Sequence, residues 1–296
     1  MTDEAVKKPQ DKVKLPGVLS VFTLGLGAIA IYTWREGMRK KTLIGFLVLS
    51  LLVIFGAWFL TAFLHTGTGG TELETELDTK LVKDICVTAI SIFGVLITIF
   101  ISASVVPGEV ETRVIYTVLS KPVRRFQYLM GKFLGVQLII IINLALMGGL
   151  FFVNLYIQEG ILPTLLLWTI FLTYFEFLIV SAFTFAIGCA ASSAVLPVIG
   201  GLFIYITGNL TEYLGDVARR AGQTDAFLDV AIGWLATGLF YVLPNLQNFS
   251  LRNQLLYLQP NDPPADAMIP QMVMYGLVYA AAGYVIGYII FRRKEL

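Results

Sequence analysis

Apolar residues in this chain fall in blocks of 20 or more, and that length constrains the fold more than any other feature. A helix of about 20 residues spans the roughly 30 Å hydrocarbon core of a bilayer. Five blocks predict transmembrane helices: Thr42–Leu64, Ile85–Val106, Phe133–Tyr156, Pro163–Ala190 and Gln271–Phe291. A sixth, Ala194–Leu214, carries Gly200, Gly201 and Gly208, which membrane helices tolerate better than soluble ones. Only 14% of the residues are charged, against about 25% in soluble domains. The expected fold is therefore an all-α polytopic membrane protein with six transmembrane helices.

Two further segments need the distribution of charge to place them. Leu15–Trp34 is apolar, yet Lys7, Lys8, Lys12 and Lys14 precede it and Arg35, Arg39, Lys40 and Lys41 follow. A crossing there would translocate one of the two cationic sets, against the positive-inside rule. The segment reads instead as an N-terminal interfacial helix on the cytoplasmic leaflet. A signal peptide is the rival, since Ala28-Ile29-Ala30 mimics a cleavage site, but cleavage would leave Arg35–Lys41 outside. With six spans, 16 of the 21 cations become cytoplasmic, whereas Glu72, Glu74, Glu76 and Asp78 fall outside. Making Phe227–Leu243 a seventh crossing would export Arg292, Arg293 and Lys294, so it reads as re-entrant or interfacial within an external loop, 215–270. The expected organisation is a tail and interfacial helix over 1–41, a permease-like bundle over 42–291, and a cytoplasmic tail over 292–296. The expected location is the plasma (inner) membrane, with both termini cytoplasmic.

Composition also removes whole classes of function. A net charge of +1 does not suit an electrostatic nucleic-acid binder. Two cysteines and one histidine leave no zinc cluster or disulfide framework, and no metal site is expected. Gly131-Lys132 is not a phosphate-binding loop, because Phe126 stands where the upstream glycine belongs and Phe133 where the hydroxyl residue belongs. No hydrolase motif occurs within a span, so the chain does not read as an enzyme.

The loop between the second and third spans is the most informative stretch. Pro107-Gly108 predicts a helix break, and Pro122 disfavours helix at Lys121, so a short helix over 109–120 is expected between them. On its wheel Val110, Val114, Ile115, Val118 and Leu119 share one half. Thr112, Arg113, Tyr116, Thr117 and Ser120 share the other with Glu109. Glu111 falls among the apolar residues. The wheel leaves two readings open, an interfacial helix with an acid favoured by its N-terminus and a carboxylate offered to a partner.

Glu109-x-Glu111, Thr117-Val-Leu-Ser-Lys-Pro122, Arg125 and Gly131-Lys132 together resemble the signature loop of type-2 ATP-binding-cassette (ABC) transporter permeases. The resemblance extends to Glu36-Gly-Met-Arg39, Pro244-Asn-Leu-Gln-Asn-Phe249 and Phe291-Arg-Arg, but Thr112-Arg113 stands where relatives often have Gly-Thr. It implies a permease subunit whose 109–120 segment is a coupling helix seated in a separate ABC ATPase subunit. Glu109, Glu111, Arg113 and Tyr116 would make the ATPase contacts, and Lys121, Arg124, Arg125 and Lys132 would anchor in lipid headgroups. The partner ATPase would bind ATP and Mg, with no cofactor in this chain. A second permease subunit would complete a homodimer or heterodimer, and most members of this type export their substrate. The alternative is a non-transporting membrane scaffold that a partner ATPase drives to remodel an envelope complex.

Four residues within the spans are candidates for a translocation path. Ser91, Thr98 and Ser102 lie on one stripe of the second span, where small hydroxyl residues also serve as packing glue. Glu176 is an acid deep in the fourth span, a position that suits proton or substrate handling or a hydrogen-bonded packing role. Cys86 and Cys189 fall near opposite membrane faces, so no disulfide between them is expected.

Overall fold

The computed structural model describes residues 18–67, 72–112, 124–159, 164–211, 213, 237–238, 244–250 and 265–294. The elements are α1 (Val18–Met38), α2 (Lys41–Gly67), α3 (Glu72–Glu111), α4 (Arg125–Glu159), α5 (Thr164–Ala190), α6 (Val195–Asn209) and α7 (Ala265–Arg293). A single 3₁₀ turn, Gln247–Phe249, precedes α7, and no strand occurs among the described residues. Helices that are apolar on every side satisfy their own backbone hydrogen bonds, which a bilayer core demands.

Among the described residues five helices are long and apolar enough to cross a membrane, over Lys41–Leu60, Lys80–Glu111, Arg125–Ile157, Leu165–Ala190 and Ile269–Arg293. They correspond to the five long apolar blocks. The sixth expected span is represented by α6, whose 15 residues reach about 22 Å, less than the core thickness. Phe227–Leu243 lies outside the described residues apart from 237–238.

One boundary differs from the sequence expectation. Pro107 does not break the chain, because α3 continues through it to Glu111. Proline costs the carbonyl four residues back its N–H partner, a loss that helix-to-helix packing can accommodate in membrane helices. Here α5 lies alongside, with Gly188 facing the carbonyls of Ser102 and Ala103 and the Pro107 ring. Glu109 and Glu111 therefore occupy the last turn of a long membrane helix, not the first turn of a separate one. Thr112 closes that turn, its N–H and hydroxyl both donating to the Gly108 carbonyl, at 3.1 and 2.8 Å.

Around α5 the bundle assembles through small residues. Gly94 of α3 faces Phe177, Gly200 of α6 faces Ile187, and Gly276, Gly283 and Gly287 of α7 face Phe175, Ala182 and Ala186. These registers run α3 and α7 parallel to α5, with α6 antiparallel. One end of the bundle thereby collects the ends of α3, α5 and α7 and the starts of α4 and α6. Arg125 donates there to the carbonyls of Arg292 (3.1 Å) and Lys294 (3.4 Å). The Lys294 ammonium reaches the carbonyls of Ala191 (3.0 Å) and Cys189 (3.4 Å). Cys86 and Cys189 are buried free thiols, far apart along these parallel helices.

The helix expected over the apolar N-terminal run is α1, and it lies lengthwise on the first half of α4. A side chain at Gly131 would meet Ile29, and one at Gly135 would meet Thr33 and the Ala30 carbonyl. Toward the other end of the bundle, Pro244–Ser250 folds inward with Leu246 and Phe249 fully buried. The Leu246 N–H donates to the Gly208 carbonyl at 3.1 Å, and the Asn245 N–H to the Tyr275 hydroxyl at 2.8 Å.

Candidate coupling site

The two helices that flank the α3–α4 loop are joined by a buried ionic clasp. From the last turn of α3, the Glu109 carboxylate accepts hydrogen bonds from the Tyr128 hydroxyl and the Lys132 ammonium of α4. Glu109 is 4% exposed and Lys132 2%. Tyr128 and Lys132 are four residues apart, so one face of α4 presents both donors. The Phe291 ring of α7 stacks on Tyr128 at 5.8 Å and closes the site from that side.

From α1, Glu36 approaches Lys132 at 3.9 Å, and the Lys132 ammonium lies 5.2 Å from the Tyr32 ring centre. Tyr32 lies on α1, outside the five helices named above as long and apolar enough to cross a membrane. Glu36 beside it, followed by burial and Glu109, raises its phenol above the ordinary value. One ammonium thus ties together α1, α3 and α4. A buried charge is tolerated only when paired and hydrogen-bonded, and removing one partner strands the other.

This geometry changes the roles expected for several residues. Lys132, expected at the headgroups, is buried against Glu109 because its face of α4 is covered by α1 and α3. Glu109, expected to face a partner subunit, turns inward for the same reason. Glu111 and Thr112 are exposed, as are Arg124 and Arg125 at the start of α4. Arg113, Tyr116 and Lys121 lie outside the described residues.

The candidate path residues point into the protomer. Thr98 and Ser102 are fully buried, and the Thr98 hydroxyl donates to the Gly94 carbonyl of its own helix at 2.8 Å. Ser91 is half-buried. Glu176 is 6% exposed on α5, and on α6 the Asn209 amide donates to the Tyr205 carbonyl at 3.1 Å. Between α4 and α5, the Gln137 amide donates to the Ser181 hydroxyl at 2.8 Å. Among the described residues no group of three His, Cys, Asp or Glu could hold a metal ion.

Sequence reasoning missed Tyr128, Glu36 and Lys40 as parts of this region. A signal was available as spacing for Tyr128 and Lys132, which share a helical face, whereas Glu36 lies in the last turn of α1 and Lys40 in the junction after it. What spacing does not reveal is that these groups meet α3.

A family model described as "ABC-2 family transporter protein" matches residues 27–296 of the chain. No curated protein matches it.

Proposed function

We propose that this chain, which belongs to the ABC-2 transporter family, is a permease subunit driven by separate ABC ATPase subunits and exports its substrate. As a multi-pass membrane protein of a transporter family it requires a source of work. The sequence holds no phosphate-binding loop, so ATP and Mg are assigned to the partner. A second permease subunit, identical or not, completes the transporter. The positive-inside distribution supports a cytoplasmic α3–α4 loop and cytoplasmic termini.

The observation that carries the reading is the clasp of Glu109 with Lys132 and Tyr128. A loop that receives a push transmits it only if its two flanking helices move together. The buried ion pair, close to the loop on both strands, makes the ends of α3 and α4 one body. With Glu109 committed inward, the exposed Glu111 carries the contact with the ATPase, together with Arg113 and Tyr116. Arg124 is assigned to the headgroups, while Arg125 also ties α4 to the end of α7.

Co-purification with candidate ATPases tests the proposal. Wild-type chain is expected to retain an ATPase and stimulate its turnover, and Glu111→Ala to weaken both. An unchanged complex and unchanged stimulation in Glu111→Ala would overturn the assignment of the loop. A reporter fused after Lys294 tests the topology separately and is expected on the cytoplasmic side.

A further inference from the structure

Arg35, Arg39, Lys40 and Lys41 crowd the junction between α1 and α2, and Glu36 is the single acid among them. Arg35, Arg39 and Lys41 are exposed. Glu36 is already drawn toward Lys132, at 3.9 Å. Lys40 differs from the other cations because it turns inward, donating to the Ser104 hydroxyl of α3 at 2.8 Å. The Ser104 hydroxyl donates its own hydrogen bond to the Ile101 carbonyl at 3.2 Å, so Lys40 has a neutral hydrogen-bond partner here. The membrane-crossing part of α2 starts at Lys41, and its first-turn N–H groups add partial positive charge at the same corner.

Beside the Lys40 ammonium is a cavity of about 120 Å³, bounded by Thr42, Leu43, Ile97, Phe100, Ile101 and Ser104. Its walls divide by chemistry. Lys40, Thr42 and Ser104 make a polar rim, and the buried Leu43, Ile97 and Ile101 with the exposed Phe100 make an apolar wall where α2 packs on α3. A shallow groove on α2, lined by Lys41, Ile44, Gly45, Val48, Leu49 and Leu52, starts at the same turn. A cationic rim above an apolar wall, at the point where a helix enters the bilayer, matches an anionic headgroup joined to an acyl chain.

We propose that this crevice between α2 and α3 binds an anionic phospholipid, its phosphate held by Lys40 and the Ser104 hydroxyl and its chain lying against Leu43, Ile97 and Phe100. Charge complementarity selects the occupant: the corner holds four cations against one acid already engaged by Lys132. The apolar wall excludes a free phosphate as the natural ligand, because such an ion gains nothing from Leu43 or Phe100. Burial holds the Lys40 ammonium below the ordinary lysine value, and Lys132 adds to that effect while Glu36 and Glu109 oppose it. An anion in the crevice relieves the desolvation.

The test uses the full-length chain, stripped of lipid in neutral detergent and titrated with phosphatidylglycerol or phosphatidylcholine, with bound lipid counted by native mass spectrometry. Wild type is expected to bind one phosphatidylglycerol in preference to phosphatidylcholine. Lys40→Gln is expected to weaken that binding about fivefold and leave phosphatidylcholine unchanged, while Lys40→Arg retains it. Leu43→Trp, which fills the apolar wall, is expected to weaken phosphatidylglycerol binding with the charges intact. A salt titration on wild type needs no variant to fold, and added salt is expected to erode the preference. Equal affinity of wild type and Lys40→Gln for phosphatidylglycerol would overturn the proposal. So would a wild-type preference indifferent to salt, or displacement of the lipid by inorganic phosphate at equal concentration. The readout needs no ATPase, so its failure leaves the transporter reading standing.

Discussion

Lys132 and Glu109 are 23 residues apart in the chain, on opposite sides of the α3–α4 loop, and form a buried ion pair that also engages the Tyr128 hydroxyl. The pair makes the two arms of the loop mechanically continuous. A buried pair of this kind contributes little net stability against an apolar replacement of the same shape, but losing one partner strands a buried charge.

The clasp therefore predicts an asymmetry between single and double variants. Lys132→Met alone is expected to destabilise the protein by about 3–5 kcal/mol, and Glu109→Leu alone by a similar amount. The double variant Glu109→Leu/Lys132→Met is expected to recover most of that loss. Thermal unfolding of the four proteins in one detergent measures the coupling, and additive losses would show that the pair is not the linking element.

The separate roles proposed for Glu109 and Glu111 give a functional prediction. Glu111→Ala is expected to weaken capture of the ATPase. Glu109→Gln keeps one acceptor oxygen but loses the charge and the second acceptor, so Tyr128 and Lys132 can no longer each donate to a separate oxygen. It is expected to leave capture intact while reducing stimulated ATP turnover. Pull-down and turnover measured on the same preparations distinguish a contact residue from one that positions the loop.

The seam between α1 and α4 depends on glycine for close approach. A Cβ at Gly135 would stand 2.8 Å from the Ala30 carbonyl oxygen and 2.5 Å from the Thr33 Cβ, and backbone cannot give way cheaply. Gly135→Ala is expected to cost about 1–3 kcal/mol and to loosen α1, seen as faster proteolysis near residue 30. Gly45→Ala, with nothing within 4 Å, is expected to leave stability unchanged or raise it by up to about 1 kcal/mol.

Glu176 is enclosed within the bundle, a position that favours a packing role over proton carriage. Glu176→Gln is expected to keep transport within about threefold of wild type. Loss of transport with a folded, assembled complex would assign the carboxyl a proton-handling role instead.

Lys40 supplies a prediction in pH. Burial, the largest influence on it, lowers its ammonium below the ordinary lysine value. Between that lowered value and the ordinary one the unfolded chain binds more protons than the folded one, so stability rises with pH across the window. Amine-reactive labelling read by mass spectrometry is expected to reach half-extent at Lys40 at lower pH in the folded protein than in the denatured chain. Phosphatidylglycerol is expected to move that midpoint upward.

Much of the fold is legible in the sequence because a bilayer leaves the backbone few options. Each block long enough to span forms a helix, and the five long blocks all appear. The end of α3 was less legible: Pro107 is a breaker by local chemistry, but neighbouring α5 lets the helix continue. Within the site, Glu109 and Lys132 could both be recognised as unusual charges near span ends. Their pairing could not be, because it depends on how α3 turns as it passes α4.

What the sequence alone determined is the solvent, the helices and the one charged loop by which this chain resembles its family, since each follows from run length and local composition. Tertiary structure decided which way each charge faces. Glycines at 94, 131 and 135 set how closely α3 approaches α5 and α1 approaches α4, and in the packed bundle Glu109 meets Lys132 and Lys40 meets Ser104. Facing is a property of two helices together, and neither helix encodes it by itself.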